Sequence, residues 1–450
     1  MPRSLILLLA LTGIAVLLAA TGCWPGERPR TASATQPLPD QIPFTAGGLI
    51  AASDVDQWAT AYGDRQLRPL PGATDTLSVL SLPSPVENPR VAAVPASNSV
   101  VGWPQTVDVS PDGRYAYVAD TRGAPPKHWT AVPNSVYEDL PQGGTLTTVR
   151  LTPHPRVVDV RKVGRNLGSV AVRRDGHYLA IASEEPGAEI VLVAVHDGVP
   201  DARYHFAAGV DFGDVARPGI RSLAWHPDGH VLAANVSDRQ VQFWAVDYDQ
   251  QGRPTSIRPL GIPVRVGETL TVGAFHPAGQ YFVIADVGWG DNASAKDFLF
   301  NDAGQMVVIA FDAQGQHRIS DRIQVGRSPE GWAMSPDGSR LVAVNMNRTY
   351  LPDSIPARWF PGRDTASLSL IAFDAERGQG QVLDEAHFEG LLPEDAVFDA
   401  DGDAIAVAIF HLRGGDQGLV EFWTVADDRL QRSGYRLPVA RGAHDLLRLP

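Results

Sequence analysis

The chain holds a single cysteine, Cys23, among 450 residues. That excludes an intrachain disulfide, a thiolate metal cluster and a CxxCH haem attachment. Positive charge is also short: 38 Lys and Arg stand against 51 Asp and Glu, a formal net charge of −13. An acidic body argues against nucleic acid as a partner and does not favour an anionic membrane surface. No GxxxxGK[ST] phosphate loop is present, so DEAH at 384–387 is no helicase box, and GxSxG, HExxH and strand–helix GxGxxG are missing too. No long stretch of helical period follows the N-terminal segment. What the chain has in quantity is turn formers. With 43 Gly, 36 Pro and 44% hydrophobic residues, it suits a large core built of strands and turns.

One stretch organises the rest. VDVSPDGRYAYVAD (107–120) reads as strand, tight turn, strand, with Pro111 presetting φ and Gly113 supplying the permissive backbone. The chain repeats it as VAVRRDGHYLAIAS (170–183), LAWHPDGHVLAANV (223–236), GAFHPAGQYFVIAD (273–286), WAMSPDGSRLVAVN (332–345) and AVFDADGDAIAVAI (396–409). A third strand follows each copy: 144–151, 189–196, 241–248, 305–312, 367–374 and 420–427. A fourth often ends in a V-G step, as at Val163-Gly164. Four strands per repeat is the mark of a propeller; the spacing exceeds the usual roughly 40–50 residues, so the excess sits in loops. His226 and His276 share one place before the turn, which marks a structural position rather than a metal pair.

The chain ends supply a seventh unit. TAGGLIAASD (45–54) matches the turn and second strand, and DTLSVLSL (75–82) the third. The missing innermost strand is AHDLLRLP (443–450), with Pro450 where the turn proline belongs. The expected fold is an all-β, seven-bladed β-propeller over residues 43–450, closed by a C-terminal strand that completes the N-terminal blade. Closure leaves no free inner edge in that blade.

Residues 1–22 read as an export signal: Arg3, an apolar run from Leu5 to Ala20, then small residues. Ala20-Thr21-Gly22-Cys23 resembles a bacterial lipoprotein box, with Ala20 where the first place usually holds Leu. The resemblance implies cleavage before Cys23 and lipidation of its sulfur, which anchors the protein stably in a membrane. Residues 23–42, rich in Pro, Ser and Thr, form a tether. Trp24 after the lipidated cysteine lacks the aspartate that retains such proteins at the inner membrane. The expected address is therefore the cell envelope, at the outer membrane facing the periplasm or cell surface if the cell is Gram-negative.

Length variation falls on the links beyond the second strands. Asp120 to Gly144, Asp286 to Gly304 and Asn345 to Thr365 are long excursions, of the kind that more often serve function than not. They carry Trp129, Tyr137, Trp289, Tyr350, Trp359 and Phe360, which are candidates for a loop-face binding surface because rings give contact area at low entropic cost. They equally suit packing of a lid on the blades. Second strands end in polar groups, followed closely by others. Asp120, Arg122, Glu184, Asp238, Arg239, Asp286, Asn345, Asn347, Arg348, His411 and Arg413 form a candidate ligand-binding ring at the channel mouth. Such a ring can hold a small polar ligand or a hard cation, although strand ends that meet water are polar in any case. No metal site, cofactor or catalytic residue is assigned.

SPDGRYAYVAD and SPDGSRLVAVN resemble the YVTN-type repeat of bacterial surface and periplasmic propellers, which also runs through the seven-bladed lactonases. FHPAGQYFVIAD (275–286) is similar to a stretch common in the lactonase branch. That branch implies hydrolysis of a sugar or carboxylic lactone, with polar channel groups polarising the ring carbonyl. The leading expectation is a lipid-anchored binding or scaffold module that meets a protein, peptide or glycan in the envelope. The alternatives are a lactonase-type hydrolase in the channel, and an accessory subunit of an envelope redox system.

Overall fold

The computed structural model describes residues 38–97, 99, 101–213, 218–290 and 299–450. The signal segment 1–22, Cys23 and most of the tether lie outside them, as do residues 291–298 of the second long loop.

Seven four-stranded antiparallel sheets form a ring. From inner to outer strand, blade 1 is Ala443–Leu449, Gly48–Ser53, Thr76–Ser81 and Val91–Pro95. Blade 2 begins at Val107–Val109, blade 3 at Leu167–Val172 and blade 4 at Ile220–Trp225. Blades 5, 6 and 7 begin at Leu270–Phe275, Pro329–Met334 and Ala396–Phe398. Each innermost strand touches the innermost strands of both neighbouring blades, so the ring is closed. The C-terminal strand runs antiparallel to Gly48–Ser53, pairing Leu449 with Gly48 and Ala443 with Ser53. Gly47 N–H donates to Leu449 O across the break (3.2 Å).

The repeated turn explains its own residues. In blade 2, Ser110 Oγ donates to Asp112 Oδ1 (2.6 Å) and accepts from Tyr115 N–H (3.0 Å), while Gly113 takes φ +68°. Ser335, Asp337 and Gly338 repeat this in blade 6. Where histidine replaces the serine, His226 Nε2 reaches Gly279 O in the next blade's turn (3.1 Å). Those histidines belong to the frame.

Blades are also latched together. One inner-strand position in several blades accepts a backbone N–H from the following blade. Asp395 takes Leu446 N–H (2.8 Å) and Asp445 takes Thr106 and Val107 N–H (2.7 and 2.9 Å). Ser169 takes Leu223 N–H (3.0 Å), and Ser222 takes Gly273 N–H (2.9 Å). Gly331 holds the position in blade 6, where a Cβ would lie 2.0 Å from Glu394 O.

The channel is not left open. Trp103, just ahead of blade 2, packs into the core formed with Val272 and Trp332 of blades 5 and 6. Gln105 Nε2 donates to Gly273 O of blade 5 (3.3 Å). Blades 2 and 5 are not neighbours, so this segment crosses the channel.

Candidate functional site

The residue just ahead of each latch position sits where the inner strand enters the channel mouth. These residues are Gln105, Gly168, Arg221, Thr271, Glu330, Glu394 and His444. Above them the long loops fold inward. The helix Ala61–Asp64 carries Tyr62. The helix Val136–Asp139, capped by Ser135 Oγ accepting Glu138 N–H (3.2 Å), carries Tyr137. Together they line a cleft whose void is about 30 Å³, room for about one water until the surrounding side chains move apart. Its wall includes Arg122, Asn166, Glu184, Arg221 and Glu330, with the rings of Tyr62, Trp103, Tyr137, Trp289 and Tyr350. Tyr62 and Tyr137 lie 5.7 Å apart, and Trp289 meets Tyr350 edge-on at 5.4 Å.

The pocket has two electrostatic sides. On the side of blades 2 to 4, Arg221 Nη1 donates to Glu184 Oε1 (2.7 Å) and Asn166 Nδ2 to Glu184 Oε2 (2.6 Å). Arg122 Nη2 stands 3.8 Å from the same carboxylate, and Arg221 Nε lies 3.7 Å from Asp238 Oδ1. Burial raises the Glu184 pKa, but Arg221, Asn166 and Arg122 outweigh it and the net shift is downward. On the side of blades 6, 7 and 1, Glu330, Glu394 and Asp54 are all buried. Glu394 is pushed well above the carboxylate range by burial, then by Glu330 and Asp54. Tyr62 is raised as well, by burial first and then by Tyr137, Glu394, Glu330 and Asp54. One carboxylate of such a group holds its proton because like charges this close do not all ionise.

The ring expected from the second-strand ends divides. Arg122, Glu184 and Asp238 come together in the network just described. Arg239 is half-buried behind Asp238, its carbonyl accepting Val266 N–H (2.9 Å). Asp120 is buried, with its pKa raised to about 7 by burial and then by Asp54. The others serve the frame. Asp286 accepts from Thr269 N–H, Gly288 N–H and Gln305 Nε2. Asn345 donates to Ser367 and Ser369, and Asn347 to Thr365 O. Arg348 donates to Pro361 O and Asn301 O, and Arg413 ties down Asp353, Asp364 and Arg363 O. His411 does not open to the channel. It stacks on Trp58 at 4.0 Å, and burial pushes its pKa down to about 4.

The loop aromatics divide too. Trp289, Tyr350 and Phe360 share a buried cluster with Ala59 and Leu391, so they pack the lid instead of facing outward. Trp129 and Tyr137 lean on the small core of Leu67, Val132 and Leu140. Trp359, 52% exposed, is the most exposed of these six, while Trp129 and Tyr137 are half-buried. Sequence reasoning missed Tyr62, Trp103, Asn166, Arg221, Glu330 and Glu394. Three of these carried a signal, since Arg221, Glu330 and Glu394 are charges written into or beside buried inner strands.

The buried acids set a pH dependence. Asp108 is raised to about 7 by burial, against hydrogen bonds from Val172 and Val109, and Asp120 reaches a similar value. In the unfolded chain both ionise near pH 4, so the folded state alone holds these protons between about pH 4 and 7. Stability contributed by the neutral acids is therefore lost as pH rises through that window. His411, His276, His317 and His444 are lowered by burial and act in the opposite sense, so they add stability as pH rises through and above about 6.5. Asp108→Asn separates the two sets: between pH 6.5 and 8 the wild-type urea midpoint should fall relative to that of the variant by the equivalent of about 0.5–1 kcal/mol. A difference between the two proteins that stays constant over this interval would contradict the raised pKa of Asp108.

The chain was compared with known proteins. The WD domain, G-beta repeat family pattern matches residues 215–245, a span that includes the first two strands of blade 4. No curated protein matches the chain. Among solved structures, a periplasmic gluconolactonase of Pseudomonas aeruginosa, PpgL, is 17% identical with TM-score 0.59, over 90% of this chain and 99% of that one. A putative 6-phosphogluconolactonase from Bacteroides fragilis is 13% identical with TM-score 0.59, over 90% and 98%. Its counterpart from Bacteroides uniformis is 15% identical with TM-score 0.57, over 91% and 99%. At these identities the likeness shows a shared lactonase-like propeller fold.

Proposed function

We propose that this chain is a lactonase-type hydrolase that takes a small polar lactone into its channel mouth. The observation that carries the reading is one cleft whose wall brings Glu330 together with Arg122, Arg221, Asn166, Tyr62 and Tyr137, and which admits a ligand once its loop rings move apart. A lactone carbonyl turned toward Arg122 and Arg221 meets donors where charge develops on its oxygen. Glu330 takes a proton from a water that attacks the carbonyl carbon. The ring C–O bond then breaks, and the leaving oxygen takes the proton held by Glu330, which returns the carboxylate to its starting state, while Tyr62 and Tyr137 line the site. The solved propellers named as gluconolactonases support the class of reaction but assign no residue here. On the expected lipid anchor at Cys23, the enzyme would act at the cell envelope.

A second reading, a ligand-binding propeller without turnover, is favoured by Glu184, whose oxygens are already taken up by Arg221 and Asn166. The loop-face scaffold reading has less support, because three of its aromatic anchors are turned inward.

Glu330→Gln separates the two. For the hydrolase, kcat on a responsive lactone falls by about 10²–10⁴, while KM stays within a few-fold. Unchanged kcat would remove Glu330 from the chemistry. A wild-type protein that binds lactones and opens none would leave the binding reading.

A further inference from the structure

A second site lies at the start of the blade 1 loop, where Asp54 borders the acids of the channel mouth. The link leaving the second strand of blade 1 reads Asp54-Val55-Asp56-Gln57, and Asp75 stands just ahead of the strand Thr76–Ser81. One carboxylate oxygen from each of Asp54, Asp56 and Asp75 lies within 4.8 Å of the other two. That is the span of oxygens around a single hard cation. Acidic groups alone do not make a site, but Gln57 adds an independent feature. Its side chain is 1% exposed, and its Nε2 donates to Asp54 Oδ2 (3.3 Å). Its Oε1, on the same amide beside that carboxylate, has no partner among the described residues. A buried amide oxygen left without a donor carries a cost that a cation removes.

The backbone already shapes the loop. Asp54 Oδ1 accepts Asp56 N–H (2.9 Å), and Asp75 Oδ1 accepts Val55 N–H (3.0 Å), so the three carboxylates are held facing one another. Arg441 donates to Val55 O and lies 5.4 Å over the Trp58 ring, and Arg68 stands over the same ring at 4.4 Å. Asp56 is raised to about 6 by burial and by Asp54, with Arg441 offsetting only part.

We propose that Asp54, Asp56, Asp75 and the Gln57 amide oxygen bind a calcium ion. All-oxygen ligation by three carboxylates and an amide, with room for water, is the chemistry calcium takes; magnesium demands a tighter octahedron and sheds water reluctantly. The ion would pin the loop that holds Arg441, which immediately precedes the closing strand. The same loop carries the helix of Tyr62 into the pocket, so the ion would also steady one pocket wall. The site does not depend on what the pocket binds.

The test uses the full-length protein stripped with a chelator. Calcium at about 5 mM, well above the dissociation constants of extracellular modules, should raise the melting temperature by about 2–4 °C, reversibly with chelator. Asp75→Asn should abolish that shift while leaving the ion-free melt within a few degrees. Should that variant fold poorly, terbium luminescence excited through Trp58 gives a second reading on the native protein, saturable and displaced by calcium. Absence of both a calcium-dependent shift and displaceable luminescence would overturn the site, as would an undiminished shift in a folded Asp75→Asn.

Discussion

Removing residues 443–450 should abolish cooperative folding, or at the least lower the melting temperature by about 15 °C. The segment supplies the entire inner strand of blade 1, and Gly48–Ser53 would lose its partner along its whole length. Leu446 and Leu449 are buried, Leu449 in the same core as Ile50, Val107 and Val118. Burying two leucines contributes about 1.5–3 kcal/mol each. Asp445 holds blade 2 through three hydrogen bonds, and Leu446 N–H holds blade 7 through Asp395. Cutting both latches strands Asp395 in the channel wall and opens the ring. Summed with the lost ladder, the penalty is on the order of 10 kcal/mol, comparable with the roughly 5–15 kcal/mol that holds a domain folded. Circular dichroism melts of the truncated and intact proteins decide the matter, and an unchanged melt would refute the clasp.

Replacing Arg221 by Met should lower kcat/KM on a lactone substrate by about 10²–10³. Methionine keeps much of the aliphatic stem while removing the guanidinium that grips Glu184 and faces the pocket. Two effects combine. The developing oxyanion loses one of its two arginines, and Glu184 loses its nearest cation. With Arg221 gone, the burial that raises Glu184 is opposed only by Asn166 and Arg122, so its pKa rises toward or above the ordinary carboxylate value. The pH–rate profile should then gain an acidic limb at higher pH than in the wild type. Arg221→Lys should recover only part of the rate, because an ammonium does not reproduce the planar fork. Full activity in Arg221→Met would place the chemistry elsewhere.

The fold was legible because the same physics is written several times. Each turn needs a left-handed glycine, and Gly113, Gly176, Gly229, Gly279, Gly338 and Gly402 all take positive φ. Pro450 betrayed the closing strand by standing at the turn proline's place, next to Gly47 of the following strand. The site was legible only in part. Second-strand ends are polar whether they serve a ligand or the chain, and nothing in the letter of Asp286 or Asn345 tells that nearby N–H groups and hydroxyls claim it. The direction of Trp289, Tyr350 and Phe360 was hidden for another reason: a ring in a long loop turns toward whichever apolar surface the fold offers, and that surface is assembled from distant blades. The more informative ring stood at the residue ahead of each latch. Arg221 and Glu330 lie inside strands that are otherwise buried, and Glu394 lies just before one. A charge kept in such a place costs free energy unless it is partnered or used.

On the proposed function, a ligand binds in the channel-mouth pocket and not on the outer loop face. A crystal structure of the protein soaked with the ring-opened acid of the lactone it hydrolyses fastest tests this directly. Electron density for the acid is expected between Arg221, Glu330 and the rings of Tyr62 and Trp289, with its carboxylate toward Arg122 and Arg221. Density seated instead against Trp359 on the outer loops, or a saturating ligand absent from the mouth, would contradict it.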